Sequence, residues 1–146
     1  MEHVAALQVS LGNTFVMYFK AHSYHWNVEG SDFAQYHDFL GKLYEELYGA
    51  VDPMAEELRA LDVYAPQSLD AMVRLSTIEE DSERPTKPAE MFGKLLAANN
   101  EVIESLNKLF KAADAANEQG LADFAAGRID IHKKHGWMLR SFMRGE

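Results

Sequence analysis

Hydrophobic residues recur at steps of three and four along two long segments in the first part of the chain. The first segment passes through Val4, Leu7, Leu11, Phe15, Tyr18, His22 and His25. The second is the more regular, and it passes through Phe33, Tyr36, Leu40, Leu43, Leu47, Val51, Met54, Leu58 and Leu61. This spacing places apolar side chains along one face of a helix. The pattern therefore predicts two long amphipathic helices that pack side by side.

The rest of the chain repeats the pattern after an interruption. Residues 62 to 88 contain three prolines and an acidic run, with a short amphipathic piece around Leu69 to Leu75. Two further helical segments follow, through Phe92, Leu95, Leu96, Ile103, Leu106 and Phe110 and then through Leu121, Phe124, Ile131, His135, Met138 and Phe142. A crossover of about 25 residues between two helix pairs is typical of ferritin-like bundles. We predict an all-α, ferritin-like four-helix bundle with a short extra helix in the long crossover between helices two and three, as a single domain over residues 1–146.

Two local signals refine the second helix. Asp32 followed by Gln35 fits a capping box at its start, after Gly30 as a stop for the first helix. Pro53 lies inside the repeat, which continues through it without a change of phase. We expect a kink at Pro53 rather than a break, with Gly49 removing side-chain bulk near the carbonyl that the proline ring crowds.

Composition excludes several classes of protein. The chain has no cysteine, which removes disulfide scaffolds, zinc fingers and cysteine nucleophiles. Its 14 basic and 23 acidic residues give a net charge of −9, the wrong sign for non-specific phosphate binding and a suitable one for attracting cations. No apolar run is long enough to span a membrane, and the start lacks the features of a signal peptide. We therefore expect a cytoplasmic protein.

The candidate chemistry consists of imidazoles and carboxylates on the first two helices. His25 lies on the stripe of the first helix, which we expect to face the core, and His37 lies beside the stripe of the second. Asp52 and Glu56 are four residues apart, so both carboxylates leave one side of the helix and can converge on a cation. Imidazole with carboxylate suits iron, manganese or zinc. The ordinary alternative is a solvated charged face, or a helix cap at Asp52 followed by proline.

Helix geometry decides how these residues could meet. His37 and Asp52 are 15 residues apart. They share a face of the helix but lie about 22 Å apart along its axis. One metal ion cannot bridge that distance within one helix. Two copies packed antiparallel about a two-fold axis would bring His37 of one beside Asp52 and Glu56 of the other, so the spacing predicts a dimer with two shared sites.

The remaining histidines do not suggest a metal centre inside one bundle. No histidine has Asp or Glu three residues before it, whereas di-iron bundles carry Glu-x-x-His. We expect His22 to be a hydrogen-bonded neighbour of His25 rather than a ligand, and His132 and His135 to serve packing or surface roles.

The same residues carry a resemblance to a known family. The chain resembles Dps proteins, the bacterial mini-ferritins, in the run His25-Trp26-Asn27-Val28-Glu29-Gly30, then Phe33 and His37, then Asp52-Pro53-Met54-Ala55-Glu56. The resemblance implies a hollow shell of twelve subunits and a ferroxidase centre at a two-fold interface. There His25 and His37 of one subunit would face Asp52 and Glu56 of another. It further implies that Fe(II) is oxidised, preferentially by hydrogen peroxide, and that ferric iron is stored inside.

The chain departs from that family pattern in two places. Many Dps proteins carry an acidic residue four positions after the second histidine, where this chain has Gly41, which bears on a second iron position; Glu45 or a water could replace it. DNA-binding members usually use a basic tail, and we expect no direct DNA binding here. Asp123 and Asp130 are candidates for guiding Fe(II) through a pore. The open alternatives are a non-enzymatic DNA-protecting shell, a bundle that binds zinc or manganese, and a helical dimer whose polar residues only set the register.

Overall fold

The computed structural model describes residues 1–144, which form a bundle of four long helices and one short one. The helices are α1 (Glu2–Asn27), α2 (Phe33–Ala60), α3 (Leu69–Arg74), α4 (Pro88–Ala115) and α5 (Gln119–Met143). Short turns join α1 to α2 and α4 to α5, and α3 lies within the crossover between the two pairs. The part of the chain described contains no strand. The predicted all-α bundle with a small helix in the crossover is confirmed.

The core is built from leucines of facing helices and closed at one end by aromatic rings. Leu11, Leu47 and Leu106 are fully buried. Burying each such side chain contributes about 1.5–3 kcal/mol. At one end, the ring of Phe92 stacks on that of Phe142 with 5.1 Å between centroids, and rings from α2 pack against both. These contacts hold α2, α4 and α5 in register.

The predicted core stripe of α1 is wrong in its second half. Phe15 and Tyr18 are only half-buried, and so are His22 and His25 at the end of the stripe. The buried residues of this half are instead Val16, Met17, Lys20, Ala21 and Tyr24. A stripe with alternating steps of three and four has a period near 3.5, so it drifts around a straight helix of 3.6 residues per turn. The drift moves both histidines to the edge of the bundle.

The turn between α1 and α2 differs from its prediction. Asp32 is the N-cap residue of α2, but its side chain makes no cap hydrogen bond, so the expected capping box is absent. Helix α1 ends at Asn27, and Gly30 adopts φ +123° in the turn, a conformation that glycine accepts without strain. Helix α2 then runs unbroken through Pro53, as expected.

The crossover is held to α1 by buried polar contacts. The Asn13 side-chain oxygen accepts hydrogen bonds from the Ser76 hydroxyl and the Thr77 amide, both at 2.7 Å. Further along, the buried Lys20 ammonium lies 3.0 Å from Asp81. The chain described by the structure contains no helix long and apolar enough to cross a membrane.

Replacing Gly12 by alanine is expected to destabilise the fold by about 1–3 kcal/mol, because a methyl group there overpacks the contact between α1 and the crossover. A Cβ at Gly12 would lie 2.8 Å from backbone atoms of Leu75 and Ser76. Urea unfolding at fixed subunit concentration measures the effect. Gly127→Ala is the matched control, since nothing lies within 4 Å of a Cβ there. Equal stability of the two variants would contradict the prediction.

Candidate metal centre

His25 and His37 face each other across the turn between α1 and α2. Their rings stack with 3.7 Å between centroids and 19° between planes. The Nδ1 atom of His25 lies 2.8 Å from the carbonyl oxygen of His37, and Nδ1 of His37 lies 2.7 Å from the carbonyl oxygen of His25. A carbonyl oxygen only accepts, so each Nδ1 carries the proton and donates it. The reciprocal bonds fix both rings.

This hydrogen bonding prepares both histidines as ligands. With Nδ1 protonated, Nε2 of each neutral ring holds a free lone pair, the arrangement in which a backbone carbonyl orients a metal-binding imidazole. Gly41 allows the His25 ring to come this close to α2: a Cβ at that position would lie 3.0 Å from Cε1 of His25. The family departure at Gly41 thus has a steric counterpart in the structure.

Asp52 and Glu56 form a separate carboxylate pair on the exposed side of α2. Both are exposed, one turn apart. A side-chain hydrogen bond with Asp52, and then its negative charge, raise the pKa of Glu56. Two carboxylates this close repel each other when both are ionised, so a proton or a cation shared between them is favoured. The pair can therefore attract a metal ion, and its exposed position leaves space for further ligands.

The imidazole pair and the carboxylate pair, the two halves of the candidate site, do not meet within one copy of the chain. His37 and Asp52 lie on the same unbroken helix, so about 22 Å of helix separates them. Within residues 1–144 of one copy, no three His, Cys, Asp or Glu side chains form a group able to hold a metal ion. The structure thus brings His25 to His37 and places Asp52 beside Glu56, and it does not join the pairs.

His22 is part of an aromatic cluster beside His25. Its Nδ1 lies 2.9 Å from the hydroxyl of Tyr18, which agrees with the predicted hydrogen-bonded role. Its ring stacks on that of Tyr44, with 3.7 Å between centroids and 7° between planes. Burial and then the charge of His25 lower the pKa of His22, and burial raises the pKa of Tyr18. The four-residue spacing of Tyr18 and His22 was the available signal for this pair.

Comparison with known proteins places the chain in a family. Residues 4–145 match the ferritin-like domain of the Ferritin family model. The chain is 30% identical over 141 residues to an uncharacterised low-temperature-induced protein of Nostoc, an alignment that covers 96% of this chain and 79% of that one. It is 28% identical over 137 residues to the DNA protection during starvation protein of Brevibacillus brevis, covering 94% and 91%. The solved structure of Dps from Staphylococcus aureus superposes with a TM-score of 0.92 at 26% identity, covering 99% and 96%.

The chain belongs to the Dps family. This assignment confirms the resemblance found in the sequence and the ferritin-like form of the bundle.

A buried polar network of this Dps chain escaped the sequence analysis. Arg128 of α5 makes a two-pronged ion pair with Glu46 of α2, and Nε2 of His135 donates to the same carboxylate at 2.7 Å. Nδ1 of His132 donates to the side-chain oxygen of Asn99 at 2.8 Å, and its Nε2 accepts from Arg128. The packing role expected for both histidines is correct, but the Glu46 carboxylate that His135 contacts is 89 positions away along the chain, and no spacing rule reveals it.

The charges of this network determine its protonation. Burial alone would raise the pKa of Glu46, but hydrogen bonds from His135 and Arg128 together with their charges outweigh it and lower the pKa to about 2. Burial, then the Arg128 charge, lower the pKa of His132 well below its ordinary value. Glu46 is therefore ionised and His132 neutral near pH 7. Because Arg128 already pairs with Glu46, the network is structural and offers no metal site.

Proposed function

We propose that this Dps-family protein is a mini-ferritin and a ferroxidase. It oxidises Fe(II), preferentially with hydrogen peroxide, at a site shared by two subunits, and it stores the ferric product inside a hollow shell of twelve subunits. Membership of the ferritin-like family supports iron storage as the general function. Consuming Fe(II) and peroxide together would suppress the formation of hydroxyl radicals.

The proposal rests on the hydrogen bonds that orient the rings of His25 and His37. Both rings are fixed with Nε2 free, yet two imidazoles alone are an incomplete set for iron. Asp52 and Glu56 are the complementary oxygen ligands, and they lie at the other end of the same helix. Antiparallel packing of α2 against α2 of a second copy supplies both halves twice, once at each end of the contact.

An exposed aromatic surface between the two halves supports such a dimer. Phe19, Trp26 and Tyr48 of α1 and α2 are 50%, 57% and 59% exposed. The Phe19 and Trp26 rings lie 6.2 Å apart, so they form a continuous patch rather than isolated apolar residues. Exposed apolar patches of this kind mark interaction surfaces. A second copy seated here would bury the patch and bring its carboxylates to the imidazoles.

Each site residue has a distinct role in this proposal, with Fe(II) as the substrate. His25 and His37 bind the ion through Nε2, and the hydrogen bonds at Nδ1 keep the rings in place as the charge on iron rises. The partner subunit supplies two carboxylates, Asp52 as an anchoring ligand of the ion and Glu56 as a bridging ligand. Their negative charges stabilise ferric over ferrous iron. Two Fe(II) and one H₂O₂ with two protons give two Fe(III) and two waters.

His37→Ala and Glu56→Ala are each expected to slow peroxide-dependent Fe(II) oxidation by about tenfold or more, because each removes a direct ligand and even outer contacts of metal ligands are worth 10–100-fold. The growth of ferric absorbance after peroxide is added to protein loaded anaerobically with Fe(II) measures the rate. Asp114→Ala, an exposed carboxylate on α4, is the control.

Three results would count against the proposal. Unchanged rates in both variants would remove the catalytic assignment. Binding of zinc or manganese without iron oxidation would favour the alternative metal role. DNA retention in a gel shift at physiological salt without iron oxidation would favour a protective shell. Direct DNA binding is not part of the proposal, and a cytoplasmic location stays a prediction.

A further inference from the structure

Phe33 is the first residue of α2 and of its hydrophobic stripe, yet it does not belong to the core. Its side chain is 43% exposed. Its ring stacks on that of His37, one helical turn further along α2, with 5.0 Å between centroids and 27° between planes. Residues four positions apart on a helix are neighbours on its surface, so the helix itself brings the two rings together. The side chain of Phe33 therefore packs against a proposed metal ligand rather than against the interior of the bundle.

The turn before α2 fixes the position of Phe33. Gly30 has φ +123°, and its carbonyl oxygen accepts a hydrogen bond from the Phe33 amide at 3.1 Å. The backbone that carries the Phe33 ring is thus held before the first turn of α2 begins. A phenylalanine side chain has only two rotatable bonds and few rotamers, so a fixed backbone leaves its ring few alternative positions. The ring can support His37 at a small entropic cost.

The orientation of the His37 ring depends on one hydrogen bond. Its Nδ1 donates to the carbonyl oxygen of His25 at 2.7 Å, which leaves Nε2 free for a metal ion. A half rotation of the ring about the bond between Cβ and Cγ would move Nδ1 away from that carbonyl. The rotation takes the ring out of its plane and towards its near-parallel neighbours, His25 and Phe33, at centroid distances of 3.7 and 5.0 Å. Both neighbours therefore oppose it.

The two neighbours of His37 are not equivalent. His25 is itself a proposed ligand, and its ring has a further contact with that of Tyr44 at 5.2 Å. The Phe33 side chain has no atom that binds a metal ion, so its ring contributes packing alone. Apolar cover also limits the access of water to the hydrogen bond at Nδ1, and a hydrogen bond is electrostatically stronger where water is excluded. Phe33 thus supports His37 in particular.

We propose that Phe33 is a positioning residue of the ferroxidase site, a role that rests on the proposed function. Its ring holds that of His37 on the His25 carbonyl, with Nε2 available to Fe(II). Without the Phe33 ring, the His37 ring has to be ordered as the metal ion binds, and this ordering reduces the affinity. Loss of an outer contact of a metal ligand typically lowers affinity by about 10–100-fold. Because the hydrogen bond at Nδ1 remains available, we expect about tenfold.

Metal titration of the assembled protein tests the proposal. Phe33→Ala should weaken the binding of Co(II), followed by its visible absorbance, by about tenfold. Phe33→Tyr keeps a flat ring at the same place and should bind Co(II) as the parent does. Phe110→Ala removes a phenylalanine of similar exposure, 37%, from α4 and is the matched control. Should Phe33→Ala not assemble, Phe33→Leu replaces it with the same expected result, since leucine is apolar but has no flat ring.

Two further measurements separate positioning from a general loss of structure. In peroxide-dependent Fe(II) oxidation, Phe33→Ala should raise the KM for Fe(II) by about tenfold and leave kcat nearly unchanged, since saturating Fe(II) orders the His37 ring by mass action. Hydrogen–deuterium exchange at Cε1 of the histidines, measured by mass spectrometry, should become faster at His37 in this variant. His132, which is fully buried elsewhere in the bundle, should exchange at an unchanged rate.

Each result bears on either the positioning role or the proposed function. Equal Co(II) affinity in the parent and in Phe33→Ala overturns the role of Phe33, as does weaker binding that Phe33→Tyr fails to restore. A smaller assembly by light scattering with unchanged Co(II) affinity assigns Phe33 to a subunit contact and also overturns it. Absence of peroxide-dependent iron oxidation in the parent overturns the proposed function, whereas a loss of Co(II) affinity in Phe33→Ala still supports positioning at a metal site.

Discussion

Co-assembly of His37→Ala subunits with Glu56→Ala subunits is expected to restore about a quarter of the parental Fe(II) oxidation, although neither variant retains it alone. In a mixed dimer, one site combines both defects and the other combines an intact imidazole half with an intact carboxylate half. Mixed dimers form about half of a random population, and one of their two sites works. Co-expression of the two variants with different affinity tags, followed by sequential purification, provides the sample.

The control for this experiment uses two variants that each lack one imidazole of the site. Subunits carrying His25→Ala mixed with subunits carrying His37→Ala should recover nothing, because every site in a mixed dimer then lacks one imidazole. Recovery in this control would show that mixing restores folding or metal uptake rather than a shared centre. No recovery from His37→Ala with Glu56→Ala would contradict the two-subunit site even if each single variant is inactive.

Glu46→Gln is expected to lower the free energy of unfolding by about 3 kcal/mol at neutral pH, because removing one partner of a buried ion pair leaves the other charge uncompensated. The Arg128 side chain is 7% exposed and cannot regain water without unpacking α5. Urea unfolding at fixed subunit concentration measures the loss. Glu104→Gln breaks an exposed pair with Lys108 and should cost at most about 0.5 kcal/mol.

The pH dependence of stability provides a second readout for Glu46. Its pKa is lowered from 4.5 to about 2 by folding, so its ionised form stabilises the native state above pH 4.5. That contribution is lost as the pH falls from 4.5 towards 2, where the folded state must also take up the proton. The parent should therefore lose more stability over this interval than Glu46→Gln. Parallel curves for the two proteins, or a neutral-pH cost no larger than that of Glu104→Gln, would be contrary results.

The fold was predictable because hydrophobic periodicity identifies amphipathic helices. The regular leucine spacing of α2 continues through Pro53, and the helix does the same. The spacing of α1 gave the helix but not its buried face, since the stripe drifts and the ends of the helix pack differently from its middle. The capping box at Asp32 also failed, because residue types at the right spacing permit a hydrogen bond without requiring it.

The candidate site was only partly predictable. Asp52 and Glu56 could be paired from their four-residue spacing, and the distance from His37 to Asp52 required a second subunit in any metal site that uses both. The stacking of His25 on His37 and the orientation of their Nδ1 atoms depend on the path of the turn between the helices. Sequence spacing carries no information on that path.

By itself, the sequence determined the number and order of the helices, the long crossover with its small helix, and the residue types available for chemistry, because local propensity and periodicity act over a few turns of one helix. Only the tertiary structure decided which Nδ1 protons are donated, that the His22 ring stacks on Tyr44, and that Glu46 pairs with Arg128 across 82 positions of sequence. These contacts arise where different helices, or different turns of one helix, are brought together by packing. Their energies depend on burial and on the angle of approach, which the order of residues along the chain does not specify.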